Sequence, residues 1–253
     1  MTDQPTDDFR PLAPERSRGD PDVARTDRLT EAVSAILPAL DAFNRFDTPD
    51  RSSYRSEWKP LLDEPLPEHG VGADAVLELL TDVVIPRGLR VGHPGFTSWV
   101  TTAPSTTAAA GQLASAVAFP QRYWLQPGNH LDVMAVRWLI ELLGFPAAFV
   151  GTFTSGGSTA NLVGLGAARQ HAAEKLDIDA ALDGIGAIPE PRVYASPETH
   201  HVVTRAMGVL GLGRANLRLE ELDAGRRADL RQMASLIAED VAAGRTPMAT
   251  VGN

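Results

Sequence analysis

"GTFTSGGSTANL", residues 151–162, decides how the rest of this chain is read. Its first residues continue an alternating apolar run that begins at Ala148, its centre is Ser, Thr and Gly, and its end opens a helical pattern. When a strand passes through a tight turn into a helix, the first N–H groups of that helix have no intrahelical acceptor. They sit at the positive end of the helix dipole and favour an anion, typically phosphate or carboxylate. Gly156 and Gly157 let an anion approach the backbone closely, and Ser158 adds a hydroxyl, as Thr154 and Ser155 also can. The competing reading is local: Ser155 or Ser158 merely caps the helix. Two nucleotide signatures fail. Gly151, Gly156 and Ser158 have P-loop spacing, but the position that needs lysine is Gly157, so no ammonium reaches the β- and γ-phosphates. No G-x-G-x-x-G follows a strand either.

Composition narrows the classes around this turn. The chain has 253 residues, of which 43% are apolar, enough for one large or two modest domains with a real core. Its formal net charge of −9, with the basic residues scattered, argues against nucleic acid or an anionic membrane as the main partner. There is no cysteine, which excludes disulfides, thiolate metal sites and a Cys nucleophile and fits a cytoplasmic protein. The start, "MTDQPTDDFR", is acidic and polar, unlike a signal peptide. No apolar run approaches the ~20 residues of a membrane span. The chain has only two lysines, Lys59 and Lys175.

Outward from the turn, residues 1–25 read as a disordered tail. Thr26 is placed to cap a helix with Leu29, Val33, Ile36, Leu37, Leu40 and Phe43 on one stripe, and Pro38 within it. Residues 47–70 read as a connector. A second helix is expected over 73–85, with Val76, Leu77, Leu80, Val83 and Val84 on one face, and a small-residue helix over 105–118. The next, about 131–143, is apolar nearly all round and is expected to be buried. Gly144 and Pro146 stop it. From there strand candidates 148–153, 192–196, 215–219 and 247–252 alternate with helix candidates 158–172, 200–209 and 228–243. In the last helix Leu230, Met233, Ile237 and Val241 are in phase. This alternation predicts an α/β domain with a largely parallel sheet. The loop 176–190 has no clear pattern.

"VYASPETHHVVTRA", residues 193–206, is a second strand, turn and helix, expected to open at the same sheet edge as the glycine turn. Ligands of doubly wound sheets bind outside the carboxyl ends of the strands. A histidine at a helix start can cap, pack, bind a metal or stack on a planar ligand. His200 and His201 are adjacent and no third ligand stands at a helpful spacing, so no metal site is predicted.

The ordered series "HPGFTSWVTTAP", "VMAVRWLIELLGFP", "GTFTSGGSTANLVGLGAAR" and "VYASPETHHVVTRAMGVLGLG" resembles the group II pyridoxal-phosphate-dependent amino-acid decarboxylases, which include the aromatic-L-amino-acid and glutamate decarboxylases. The resemblance runs from about residue 27 to 253 and rests on four motifs in order with compatible gaps. It implies the fold-type I, aspartate-aminotransferase-like architecture: after the 1–25 tail, a helical segment over 26–100, then the first part of a cofactor-binding α/β domain over 101–253. It implies pyridoxal 5'-phosphate as cofactor, an L-amino acid as substrate, and a homodimer in the full-length form. By matched position Gly157 and Ser158 look like phosphate-cup residues, and His200 looks like the catalytic histidine that stacks on the pyridine ring. His201 falls where the family often has Ser. Trp99 and Thr102 lie in the motif that lines the substrate pocket; Trp99 departs from the family's usual pattern, and its other reading is plain core packing.

The family pairs an Asp with the pyridinium nitrogen and forms a Schiff base with a Lys, usually in a His-Lys pair. Both are expected downstream of the strand that closes this sequence as "PMATVGN". Lys59 lies in the connector and Lys175 lies ~25 Å along a helix from the phosphate turn, so neither is expected to replace that lysine. Three readings stand side by side: the front half of a PLP-dependent decarboxylase, inactive alone, with an aromatic amino acid as one candidate substrate; another fold-type I PLP enzyme; or a non-catalytic fragment that pairs with another chain.

Overall fold

The computed structural model describes residues 23–252 except 46, 48–54, 67, 70, 100 and 119–126. The expected tail falls almost wholly outside the described residues. The chain divides into two compact units, Met1–Pro120 and Gln121–Asn253.

In the first unit α1 spans Val23–Asn44 with Pro38 inside it. Thr26 therefore lies within the first turn rather than before it. Leu29, Val33, Ile36 and Phe43 are half-buried, whereas Leu37 and Leu40 of the predicted stripe are exposed. The expected connector contains a two-turn helix, α2 (Arg55–Leu62), with an exposed Lys59–Asp63 ion pair. One i,i+4 pair gives a surface helix only modest support. α3 (Ala73–Leu79) continues as a π-helical turn over Leu80–Val84 that packs against α1. The guanidinium of Arg90 donates to the Ala42 carbonyl at 3.0 Å and lies 5.7 Å from the Phe43 ring centre. It thereby fixes the chain that leaves this helix pair. α4 (Thr106–Ala118) starts where Ser105 Oγ accepts the Ala108 N–H at 3.2 Å.

The second unit opens with α5 (Pro127–Leu142). It ends as the glycine predicts: Gly144 is left-handed (φ 69°), its N–H bonds Glu141 O, and the Phe145 N–H bonds Ile140 O, both at 3.0 Å. That pair of bonds is a Schellman closure. The expectation that α5 is buried is not met. It has no buried residue, and Leu131, Trp138 and Leu142 are largely exposed. The 145–151 segment lies beside α5 across an open groove of about 720 Å³. An apolar helix is buried only where a second surface meets it. Residues 148–153 form no strand among the described residues. Their alternation is strand-like, but a strand exists only in a ladder with a neighbour.

The core lies C-terminal to this segment. α6 (Gly157–Lys175), β1 (Pro191–Ala195), α7 (Val202–Val209), β2 (Leu217–Leu219), α8 (Leu230–Ala242) and β3 (Thr246–Val251) form a three-stranded parallel sheet, in the order β2-β1-β3, with its crossover helices. β1 is central; four of its five residues are buried, as a strand covered on both faces must be. Val193 from β1, Leu165 from α6 and Val202, Val203, Ala206 and Met207 from α7 make one apolar cluster with Leu212. β2 is shorter than predicted because Arg214–Asn216 form a 3-10 turn before it. Likewise the unpatterned 176–190 loop contains a 3-10 turn over Ile185–Ala187, with Ile188 buried after it. α8 is capped by Asp229, whose side chain accepts the N–H groups of Arg231 and Gln232. Of its in-phase residues, Met233 and Ile237 at the centre are half-buried while Leu230 and Val241 at the ends are exposed, and Asp240 is wholly buried.

Candidate cofactor site

α6 begins at Gly157 after a turn that only glycine takes without strain: Gly156 has φ 154° and ψ 171°. No side chain caps the helix, which removes the reading of Ser155 or Ser158 as caps. The Thr154 hydroxyl donates to Gly156 O at 3.1 Å, and the Ser155 and Thr159 hydroxyls are 3.2 Å apart. These polar side chains brace the turn itself. The first helical bond runs from the Ala160 N–H to Gly156 O at 3.0 Å. The N–H groups of Gly157, Ser158 and Thr159 thus meet no acceptor among the described residues. A Cβ placed on Gly156 or Gly157 would meet nothing within 4 Å, so the space before the turn is open. Ser158 is exposed, with its hydroxyl available. Three convergent N–H donors, a hydroxyl and a helix dipole fit a phosphate ester.

Sequence reasoning missed Asn161, whose Nδ2 donates to Gly157 O at 2.8 Å. This bond steadies the first turn from within. An amide four residues after the first helical residue was the available signal.

His200 lies five residues beyond the carboxyl end of β1, just before α7. Its ring is exposed, and Nδ1 accepts the Val202 N–H at 3.3 Å, which places the neutral ring's proton on Nε2. α6 and α7 pack side by side. The Gly166 position and the Arg169 guanidinium both reach Leu210 at the end of α7, while Leu162 and Leu165 join the cluster formed with Val202 and Val203.

Trp99 and Thr102 belong to the first unit. Trp99 is left-handed (φ 56°) and 77% exposed, its ring centre 6.1 Å from that of Phe96. That exposure removes core packing as its role within this chain. Thr102 is exposed, and its hydroxyl donates to Ala103 O at 3.3 Å. Lys175 closes α6, roughly 27 Å along the axis from Gly157. Among the described residues no group of three or more His, Asp or Glu could hold a metal ion, and no helix is long and apolar enough to cross a membrane.

The model of the pyridoxal-dependent decarboxylase conserved domain matches residues 56–253. The chain belongs to the pyridoxal-dependent decarboxylase family. Its similarity to an aromatic-L-amino-acid decarboxylase of Bacillus atrophaeus is 32% identity over 198 residues, covering 76% of this chain and 38% of the relative. The crystal structure of mouse CSAD in apo form superposes with a TM-score of 0.77 at 23% identity, over 90% of this chain and 48% of that one. The structure of Oryza sativa TDC with PLP gives a TM-score of 0.69 at 23% identity, over 89% and 50%. The chain thus spans half or less of the length of these relatives. The family's fold-type I architecture accounts for the parallel sheet with crossover helices, and its cofactor is pyridoxal phosphate.

Proposed function

We propose that the protein serves PLP-dependent decarboxylation of an L-amino acid, with an aromatic substrate favoured. The observation that carries this reading is the open set of N–H groups at Gly157, Ser158 and Thr159, with an exposed imidazole before the helix packed on α6. Gly157 and Ser158 bind the cofactor phosphate through backbone N–H groups and the Ser158 hydroxyl. His200 is the catalytic residue in contact with the heterocycle; its Nδ1 bond holds the ring and leaves Nε2–H directed outward. When bound, the pyridoxal group supplies an electron sink for the carbanion left as CO2 departs. Trp99 offers an apolar wall to the substrate side chain and Thr102 a hydroxyl at the same motif. The reading includes a helical segment over 26–100, the cofactor-binding domain from 101 onward, and a full-length form that is a cytoplasmic homodimer.

No lysine in this chain is assigned the Schiff-base role. Borohydride reduction of the protein mixed with PLP is therefore expected to leave no stable lysine adduct; an adduct at Lys175 would overturn that assignment. Site occupancy is tested separately by equilibrium dialysis with PLP. Ser158→Asp places a carboxylate before the phosphate, and affinity is expected to fall at least about tenfold. Unchanged affinity would remove the phosphate from this turn. In a full-length form, CO2 release from aromatic amino acids against glutamate decides the substrate class.

A further inference from the structure

His200 and His201 are consecutive, yet their imidazole rings lie against each other, with centroids 4.2 Å apart and planes inclined by 33°. The turn into α7 produces this. His201 is αR (φ −55°, ψ −15°) and occupies the N-cap position without a side-chain bond to the helix. The His201 ring is thus not engaged in capping, while the His200 ring is, through the Val202 N–H at 3.3 Å. Backbone bonds hold both residues: the His200 carbonyl accepts from the Val203 N–H at 3.0 Å and the His201 carbonyl from the Arg205 N–H at 3.1 Å. The His200 imidazole is held at its Nδ1 edge and on one face. The Nε2 edge and the opposite face stay available.

We propose that His201 is a positioning residue for His200: its imidazole covers one face of the His200 ring and directs a flat heterocyclic ligand to the other. The proposal rests on the assignment of His200 as the partner of the pyridoxal ring. An exposed imidazole held by one bond samples other rotamers, and a ligand that stacks on it must restrict that motion. A neighbouring ring restricts it beforehand. The size expected of such a contact is that of aromatic pairs, about two- to tenfold in binding.

The test uses the whole chain with ¹⁵N-labelled histidine, together with the His201→Ala, His201→Phe and His200→Ala variants. Imidazole nitrogen shifts are recorded above pH 8 without PLP, and PLP affinity is measured by equilibrium dialysis. In the unaltered chain His200 is expected to show one tautomer with its proton on Nε2. His201→Ala should mix the tautomers and weaken PLP about two- to tenfold, while His201→Phe, which keeps a flat ring, should retain both properties. If His201→Ala leaves the His200 signals and PLP affinity as they were, or if His201→Phe fails as alanine does, the positioning role is overturned. If His201→Ala mixes the tautomers but His200→Ala leaves PLP affinity unchanged, the positioning of His200 stands and its assignment to the cofactor falls.

Discussion

The Tyr194 hydroxyl donates to Asp240 Oδ2 at 2.8 Å, and both side chains are completely buried. The same carboxylate accepts from Arg245 Nη1 at 2.9 Å and Arg218 Nη1 at 3.3 Å, with Arg192 Nε at 3.9 Å. Glu190 and Glu239 occupy the outer sides of these arginines. One acidic side chain on α8 thus ties together β1, β2 and the residue before β3. Removing one donor leaves the anion with others, whereas removing the anion leaves the buried Tyr194 hydroxyl unpaired and the three arginines held by Glu190 and Glu239 on their outer sides. Tyr194→Phe should cost about 1–3 kcal/mol of stability, and Asp240→Ala about 3–5 kcal/mol. Urea denaturation of both variants checks the ranking; equal losses would mean the arginines do not depend on Asp240.

The pH dependence arises from the same cluster. Burial pushes the Asp240 carboxyl upward, but the hydrogen bonds from Tyr194 and Arg245 and the charges of Arg218 and Arg192 outweigh it, and the group ends below the usual carboxylate range. A carboxyl depressed in the folded state contributes stability that is complete above its unfolded value, about 4. That contribution is lost as pH falls through the lower folded value. Burial, with the Asp240 hydrogen bond and charge, pushes the Tyr194 phenol upward, so its contribution is complete below pH ~10 and lost at higher pH. Denaturation from pH 6 to 2 should show an acid limb that Asp240→Asn flattens. An unchanged limb in that variant would assign the acid loss to other carboxyls.

Glu220, directly after β2, presents the opposite case. It is 1% exposed, and neither carboxyl oxygen has a hydrogen-bond partner among the described residues. A buried carboxyl without donors loses its hydration and gains nothing in return. Glu220→Met, of similar length, should raise the melting temperature, by about 1–3 kcal/mol in stability. A lower melting temperature would show that the carboxyl has a bonding partner in solution.

Trp99 holds a left-handed backbone at φ 56°, a conformation that costs an L-residue roughly 1–2 kcal/mol and glycine almost nothing. Trp99→Gly should therefore be more stable than Trp99→Ala by about 1 kcal/mol, although glycine ordinarily ranks below alanine. Chemical denaturation of the two variants compares them directly, and alanine the more stable would mean the turn relaxes in solution. In a full-length form both variants should lose affinity for aromatic substrates alike, since both lack the indole.

The elements that were legible in advance are those set by short-range chemistry. The turn at Gly156 and Gly157, the Gly144 stop and the short strand β1 each depend on residues within a few positions. The segment 148–153 and α5 show the limit: alternation or an apolar circumference states what a segment would bury, and only a facing surface decides whether it does. α8 shows the rest. Its apolar phase marks Met233 and Ile237, which are half-buried, but gives no sign that Asp240 is wholly buried, because Arg192, Arg218 and Arg245 come from three separate places in the chain to surround it. Periodicity along one helix carries no information about counter-charges brought by other strands. The His200–His201 ring contact is of the same kind, since adjacency in sequence does not state that two side chains fold onto each other. The parallel α/β plan was readable from the alternation of strand and helix patterns, and the family from the resemblance of four ordered motifs. Which polar groups are buried was settled at the tertiary level, because that depends on partners distant along the chain.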